Sequence, residues 1–183
     1  MIEHAQRLVD GEGSARVLMH LQDQKLRLRA VREDDCELLW QWVNEPQVRA
    51  SAFSSTTIPW DDHVQWFRSK LADPSCYIFI AQNANQVDIG QIRFDCRYDG
   101  NAEVDLSLAS DQRGLGYGSR LIEIGIKQLF QQTATIHCVH AYIKLDNLAS
   151  MRAFERAGFQ KLQVESIKGH PALHYRYSRD VKA

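Results

Sequence analysis

Three neighbouring segments in the middle of the chain have the pattern of β-strands, and they limit the fold more than any other feature. The segments cover residues 76–82, 87–95 and 102–109, with turn residues at 83–85 and 99–101 between them. Strands joined by such short turns pair with their chain neighbours in antiparallel orientation. The sequence therefore predicts an antiparallel three-stranded meander.

The flanking segments predict helices and further strands around this meander. Before it come a strand at 25–31, a helix at 33–46 that stops at Pro46, and a helix at 59–74. After it come a helix that ends near Phe130, a strand at 138–143, a helix at 147–157 and two closing strands. Residues 1–24 predict two short helices, too few to bury a core. We therefore expect a leader, 1–24, and one domain, 25–183.

Composition and charge exclude several classes of protein. With 183 residues, 44% hydrophobic and 25% charged, the chain suits one globular domain, and 22 Lys and Arg against 23 Asp and Glu argue against a nucleic-acid partner. The longest apolar stretch, 76–81, is too short to span a bilayer, and the first residues are too polar for a secretion signal. We expect a cytoplasmic protein with no membrane partner.

No C-x-x-C pair occurs, and His137 and His140 point to opposite faces of a strand, so no metal site is expected.

A glycine-rich segment, RGLGYGS at 113–119, comes directly before the helix that follows the meander. Backbone N–H groups at a helix N-terminus attract anions, and glycines allow a pyrophosphate to approach closely. The segment is not a P-loop, because Gly118 is followed by Ser119 and Arg120 rather than by Lys. It is not a dinucleotide fingerprint either, because Ser119 replaces the third glycine. A diphosphate site without a metal remains, with an ordinary tight turn as the alternative.

A second segment, NLASMRAFERAGF at 147–159, has the signals of a capped helix. Asn147 is a suitable N-cap, Met151 and Phe154 share a core-facing side, and Gly158 suits the C-terminal turn. This interpretation accounts for its structure and leaves open a second role in binding.

Together the two segments resemble the paired signatures of the GCN5-related N-acetyltransferases (GNAT). The first is Arg113-x-x-Gly116-x-Gly118 and the second Asn147-x-x-Ser150-x-x-x-Phe154-x-x-x-Gly158-Phe159. The element order over residues 25–180 is also similar. The resemblance implies an α/β fold whose central mixed, mostly antiparallel sheet of six to seven strands is flanked by about four helices.

Segments 38–49, 58–81 and 90–95 also resemble acetyltransferases that act on amino-sugar nucleotides in nonulosonic (pseudaminic-type) acid synthesis. Residues 8–21 resemble the end of a sugar-nucleotide hydrolase. The resemblance implies an acetyl-CoA-dependent N-acetyltransferase in which the amine of a nucleotide-linked amino sugar attacks the thioester directly. It implies that the cofactor is held by Leu106, Ser107, Leu108, Arg113, Gly114, Leu115, Gly116, Tyr117, Gly118, Ser119, Asn147, Ser150 and Phe154.

The predicted strand at 102–109 supplies the candidate base. Glu103, Asp105 and Ser107 alternate with apolar residues and so share one face. In an edge strand this face would simply be solvated, whereas in a central strand it would line a cleft, with Glu103 as base or water-relay residue. A backbone N–H near Leu108 would stabilise the oxyanion. Many family members protonate the thiolate with a tyrosine at the position of Phe154, so Tyr142 or water takes that role here.

The resemblance places the acceptor beside the first two helices. The candidate substrate-binding residues are Asn44, Arg49, Ser54 and His63. A protein N-terminal acetyltransferase of the ribosomal-protein type is the main alternative, and a catalytically silent acyl-CoA-binding domain is the second. The sequence is also compatible with a homo-oligomer.

Overall fold

A computed structural model describes residues 26–179, which fold around one seven-stranded sheet. The strands are β1 (Arg27–Ala30), β2 (Cys76–Gln82), β3 (Asp88–Cys96), β4 (Asn101–Leu108), β5 (Cys138–Lys144), β6 (Gln160–Ile167) and β7 (His170–Ser178). Their order across the sheet is β1-β2-β3-β4-β5-β7-β6. Neighbouring strands are antiparallel except β4 and β5, which are parallel. The predicted mixed, mostly antiparallel sheet is therefore confirmed.

Five helices flank the sheet within the described residues, one more than expected. They are α1 (Cys36–Val43), α2 (Pro46–Ser51), α3 (Trp60–Ala72), α4 (Tyr117–Gln132) and α5 (Leu148–Arg156). The additional helix is α2, and the prediction that Pro46 only ends a helix was wrong. Proline suits the first turn of a helix, where its missing N–H costs nothing, so Pro46 ends one helix region and begins the next. No helix of residues 26–179 has the length and apolar character needed to cross a bilayer. The leader predicted at 1–24 lies outside the described residues.

The helices pack on both faces of the sheet and form two cores. On one face α4 and α5 cover the central strands, and the buried side chains there include Leu121, Ile122, Phe154, Ile92, Phe94, Val139 and Tyr175. On the other face α1 and α3 cover β2, where Leu39, Trp42 and Phe67 pack with Ile78 and Ile80. These two layers fix the sheet rigidly and leave the second face of β4 and β5 polar.

The sheet opens between β4 and β5. These strands pair only at Asn101 with Cys138, Ala102 with Val139, and Glu103 with His140. Beyond that point β4 continues beside β3 as far as Leu108, and β5 continues beside β7 as far as Lys144. A gap therefore separates the carboxyl-terminal halves of two central strands. Because α4 follows β4 directly in the chain, its N-terminus lies at the open end of this gap.

Candidate active site

Beyond Glu103, the edge of β4 that faces the gap has no partner strand. The N–H of Ala109 donates to Ile89 O at 2.9 Å, and that of Arg97 donates to Asn101 O at 2.8 Å. Peptide groups alternate between the two sides of an antiparallel strand, so those of Leu106 and Leu108 face away from β3 and into the gap. This edge can accept an additional extended chain as a hydrogen-bonded partner.

The glycine loop positions the N-terminus of α4 at the same place. Gly114 and Gly116 have φ angles of 77° and 88°, in the left-handed region that side chains rarely adopt. Gly116 is also the residue before the first turn of α4, where N–H groups lack acceptors inside the helix. Gly118 lacks this constraint: its φ is not in the left-handed region, and a Cβ added there would lie 3.4 Å from Cβ of Ala153, an ordinary van der Waals contact.

The remaining loop residues have different environments. Leu115 is exposed, Tyr117 is buried in the core under α4, and the Ser119 hydroxyl donates to Gly116 O at 3.4 Å. The loop is thus exposed at Leu115 and held to the core by Tyr117.

The side chain of Arg113 binds protein groups. Its guanidinium donates two hydrogen bonds to Leu108 O, at 3.0 and 2.8 Å, and one to Gln47 Oε1 at 2.7 Å, and it forms an ion pair with Glu45. Arg113 therefore ties the glycine loop to the end of β4 and to α2. Its side chain therefore has a structural role, and only its backbone groups are available to a cofactor.

The N-terminus of α5 lies on the other side of the gap. Asn147 Oδ1 accepts a hydrogen bond from the Ser150 N–H at 3.1 Å, which confirms the predicted cap. Phe154 is only 3% exposed, and its ring packs edge-on against Phe159 at 4.9 Å between centroids. This burial argues against the predicted contact between Phe154 and a cofactor, because its ring fills the core.

The polar faces of β4 and β5 lie side by side where the strands part. Glu103 is partly exposed and forms an ion pair with Arg97 at 3.3 Å. Asp105 is more exposed and lies 3.7 Å from Arg93. Tyr142 stacks on His174 at 4.6 Å, and burial, with the charges of Glu165 and Glu103, raises the pKa of its phenol. Glu103 and Tyr142 therefore lie close enough to influence each other.

Two of the predicted acceptor residues hold the segment between α2 and α3. The Asn44 side chain donates to Ile58 O at 3.1 Å and accepts from the Ile58 N–H at 2.8 Å. Arg49 donates to the carbonyl groups of Val43, Ser54 and Thr56, and burial lowers its pKa although Asp105 opposes this effect. The Ser54 hydroxyl lies 3.0 Å from that of Thr56. Asn44 and Arg49 thus shape the wall of the cleft.

His63 does not reach this cleft. Its side chain is 2% exposed, its Nε2 lies 2.9 Å from Cys36 O, and its ring packs with the rings of Trp66 and Phe67. Desolvation lowers its pKa and keeps the imidazole neutral. The structure therefore argues against His63 as a substrate ligand, because it joins α3 to α1 within the second core.

Comparison with known proteins identifies the family. The model of the acetyltransferase (GNAT) domain matches residues 25–160. The chain belongs to the GNAT acetyltransferase family. The family prediction and the fold prediction are thus confirmed, and acetyl-CoA is the cofactor that goes with them.

Similar proteins share the fold at low sequence identity. An uncharacterized protein of Methanocaldococcus jannaschii is 22% identical over 142 residues, which cover 76% of this chain and only 29% of that protein. The aminoglycoside acetyltransferase AAC(6')-Ib bound to coenzyme A has a TM-score of 0.72 and 22% identity, covering 85% of this chain and 95% of that one. Spermidine N-acetyltransferase from Vibrio cholerae, solved with CoA and spermine, has a TM-score of 0.72 and 19% identity, covering 82% and 92%. These likenesses establish the GNAT fold.

Sequence reasoning missed one polar cluster of this GNAT domain. Asn101, His140, His174 and Glu165 come from four different strands and are joined by hydrogen bonds. The available signal was the alternation of His140, Tyr142 and Lys144 on one face of β5, which matches the polar face of β4. The partners from β6 and β7 could not be assigned without the sheet order.

Proposed function

We propose that this GNAT domain transfers the acetyl group of acetyl-CoA to the amine of a nucleotide-linked amino sugar. The gap between β4 and β5 is the cofactor site in this proposal. The pantetheine arm lies along Leu106, Ser107 and Leu108 as an additional strand, because the Leu106 and Leu108 peptides face the gap. The amide nitrogen of Asn147 donates to the same arm from the opposite side, since its oxygen caps α5.

The diphosphate of the cofactor binds at the N-terminus of α4. The backbone N–H groups of residues 113–119 face it, and the helix dipole favours its negative charge. The left-handed geometry of Gly116, the N-cap residue of α4, turns the chain so that the N–H groups of the first helical turn converge. Ser150, at the first turn of α5, completes this end of the site.

The chemistry requires a neutral amine, a stabilised oxyanion and a protonated thiol. In the proposed mechanism Glu103 removes a proton from the acceptor ammonium, and the amine attacks the thioester carbon. The Leu108 N–H, which faces the gap, binds the oxyanion. As the C–S bond breaks, Tyr142 donates a proton to the thiolate, because the raised pKa keeps its phenol protonated at neutral pH.

The proposal of a nucleotide-linked acceptor rests on two positively charged side chains beside the acceptor cleft. Within residues 26–179, neither Arg49 nor Lys144 has a carboxylate within ion-pair distance. Both flank the end of α2, since Arg49 belongs to α2 and Lys144 Nζ donates to Ala50 O at 2.9 Å. A substrate diphosphate would neutralise this pair while its amine faces the carboxylates of β4.

The structural neighbours give partial support. AAC(6')-Ib was solved with coenzyme A and kanamycin, and aminoglycosides are built from amino sugars. The spermidine enzyme shows that a polyamine acceptor also suits this fold. A polyamine carries no anion, however, and would leave Arg49 and Lys144 bound to carbonyl groups without a negatively charged partner.

An acceptor panel tests the proposal. The purified chain is incubated with acetyl-CoA and, separately, a uridine-diphosphate-linked 4-amino sugar, kanamycin, spermidine, and alanyl and seryl peptides, and CoA release is measured. The sugar nucleotide should have the highest kcat/KM. Turnover of peptides alone would instead establish an N-terminal acetyltransferase, and CoA binding without any turnover would establish a silent domain.

A charge variant separates nucleotide recognition from catalysis. Lys144→Gln should raise KM for the sugar nucleotide about tenfold, the equivalent of one lost phosphate contact, without lowering kcat. Lys161→Gln on β6, also an exposed lysine, is the matched control. An unchanged KM in Lys144→Gln would contradict the diphosphate assignment.

A further inference from the structure

A continuous chain of hydrogen bonds crosses four strands at the point where β4 and β5 part. Glu165 Oε1 lies 2.8 Å from His174 Nδ1, and His174 Nε2 lies 2.7 Å from His140 Nδ1. His140 Nε2 lies 3.0 Å from Asn101 Oδ1. His174 is buried, and His140 is partly buried. Burying polar side chains costs free energy, so a hydrogen-bonded chain of this kind at the edge of a cleft indicates a functional role.

The chain ends beside the proposed base. His140 is the register partner of Glu103, and this is the last pair before the strands separate. Tyr142, two residues further along β5, stacks on His174. Other charged groups near His140 are Arg97 and Asp99 from the β3–β4 turn and Arg176 from β7. The chain therefore links the cleft to Glu165 on the outer strand β6.

With the Asn101 oxygen facing His140, these contacts fit an arrangement that holds one extra proton, which we call the loaded state. Asn101 Oδ1 only accepts hydrogen bonds, so His140 Nε2 must carry a proton. The Nδ1 atom of a neutral His140 then accepts from His174 Nε2–H. Because Glu165 also accepts, His174 Nδ1 carries a proton as well, and His174 is an imidazolium between a carboxylate and a neutral imidazole.

The same four side chains have a second arrangement with one proton fewer. In it His174 keeps its Nδ1 proton for Glu165, and His140 donates from Nδ1 to His174 Nε2. His140 Nε2 is then an acceptor, and the Asn101 amide turns to donate its N–H there. Every hydrogen bond is satisfied in both arrangements, so one proton can enter or leave the chain when the Asn101 amide turns.

We infer that His140, His174 and Glu165 form a proton relay that removes from Glu103 the proton which the acceptor amine loses. The inference rests on the proposed transfer to an amine but not on which amine is used. The three residues act through Glu103, so they are relay residues rather than groups that contact the acceptor.

The proposed step balances. An N–H bond of the ammonium breaks, its electron pair stays on nitrogen, and the proton bonds to Glu103. That proton passes to His140 Nε2 while the His140 Nδ1 proton moves to His174 Nε2. The neutral amine then attacks the thioester carbon of acetyl-CoA, and the C–S bond breaks. Tyr142 gives its proton to the departing thiolate, and the second proton that the amine loses returns to Tyr142. The relay finally releases its extra proton to water, so ammonium and acetyl-CoA give amide, CoA thiol and one proton.

The electrostatics fit an accepting role. Desolvation, followed by the charges of His174 and Arg176, lowers the pKa of His140, so His140 stays neutral and passes a proton on to His174 rather than keeping it. Hydrogen bonds from Gln163 and His174 lower the pKa of Glu165, so its carboxylate is charged and stabilises the imidazolium. Each contact along the chain pairs one donor with one acceptor, and no cluster within residues 26–179 has the arrangement of a metal site.

Nitrogen NMR tests the relay without any substrate. With ¹⁵N-labelled histidine, the His140 and His174 signals are assigned with His140→Gln and His174→Gln and followed from pH 9 to pH 5. As the pH falls and the relay takes up its extra proton, His140 should stay neutral and change from the Nδ1–H to the Nε2–H form. A His140 that keeps one tautomer at every pH, or becomes charged first, would overturn the inference.

Kinetics test its role in the reaction. Glu165→Gln keeps an oxygen acceptor for His174 but removes the charge that stabilises the loaded state. It should lower kcat on the order of tenfold or more at neutral pH, leave KM for acetyl-CoA unchanged, and recover as pH rises, since less ammonium then needs a base. Glu155→Gln is the matched control, because Glu155 accepts a hydrogen bond from Tyr175 of the same strand β7 on the other face of the sheet.

The outcomes are separable. If Glu165→Gln has the pH profile of Glu155→Gln with an acceptor that turns over, the relay has no kinetic role and the inference fails. If no acceptor amine turns over, the proposed function fails, and the tautomer measurement alone decides whether the proton chain exists.

Discussion

Alanine substitution along the glycine loop distinguishes backbone strain from close packing. Gly116 has a φ of 88°, and an alanine held in this left-handed region costs about 1–2 kcal/mol. Gly118 lies in the first turn of α4, and an added Cβ would meet only Cβ of Ala153 at 3.4 Å, an acceptable contact. Gly116→Ala should therefore lower the free energy of unfolding by about 1–2 kcal/mol, whereas Gly118→Ala should not lower it.

The affinity for CoA should distinguish Gly116→Ala from Gly114→Ala, although both variants should lose stability. If Gly116→Ala relieves its strain by shifting the first turn of α4, the N–H groups no longer converge on the diphosphate, and CoA affinity should fall about tenfold, or about 1.4 kcal/mol. Gly114→Ala is the control, because Gly114 has a φ of 77° and open space around it but lies outside the helix cap. It should lose similar stability and less affinity.

Urea denaturation gives the stabilities, and calorimetric titration with CoA gives the affinities. A Gly116→Ala variant with the stability and CoA affinity of the wild type would refute the argument, because the left-handed backbone would then be unnecessary. Equal affinity losses at Gly114 and Gly116 would refute the assignment of the diphosphate to the helix N-terminus.

Two further predictions concern carboxylates. Glu103→Gln should lower kcat on the order of 10²-fold near neutral pH, and the defect should shrink at higher pH, where neutral amine forms in solution; a normal kcat at all pH values would contradict its role as base. Burial of Asp35 opposes ionisation, but hydrogen bonds from Arg29 outweigh it and hold the pKa of Asp35 below its ordinary value. Its stabilisation is therefore present above about pH 4 and lost as pH falls through the lowered pKa. Asp35→Asn should remove this part of the acid dependence of unfolding, and an unchanged dependence would contradict it.

Much of the fold could be predicted because its signals are local. The meander segments are short apolar or alternating runs separated by turn residues, Asn147 and Gly158 mark the ends of one helix, and the glycine pattern precedes another. Pro46 led to a wrong prediction because proline can either end a helix or begin one. Only the residues that follow the proline show which of these occurs.

The site was less accessible because its residues depend on long-range packing. His63 lies among charged residues in the sequence, and only the packing of α3 on α1 shows that it is buried. Arg113 was expected to hold the cofactor through its backbone, and nothing in the sequence indicated that its side chain binds Glu45 and Gln47, which are distant in sequence. The contact between His140 and His174 likewise requires that β7 lies between β5 and β6, an order that no sequence pattern in this chain predicts.

The central claim is that acetyl-CoA occupies the gap between β4 and β5 with its diphosphate on α4. Backbone amide NMR of the labelled protein, titrated with CoA, tests it most directly. The account predicts the largest shifts at Leu106, Leu108 and residues 116–119, with smaller shifts around Asn147. Shifts concentrated instead on α1 and α3, with those amides unchanged, would contradict it.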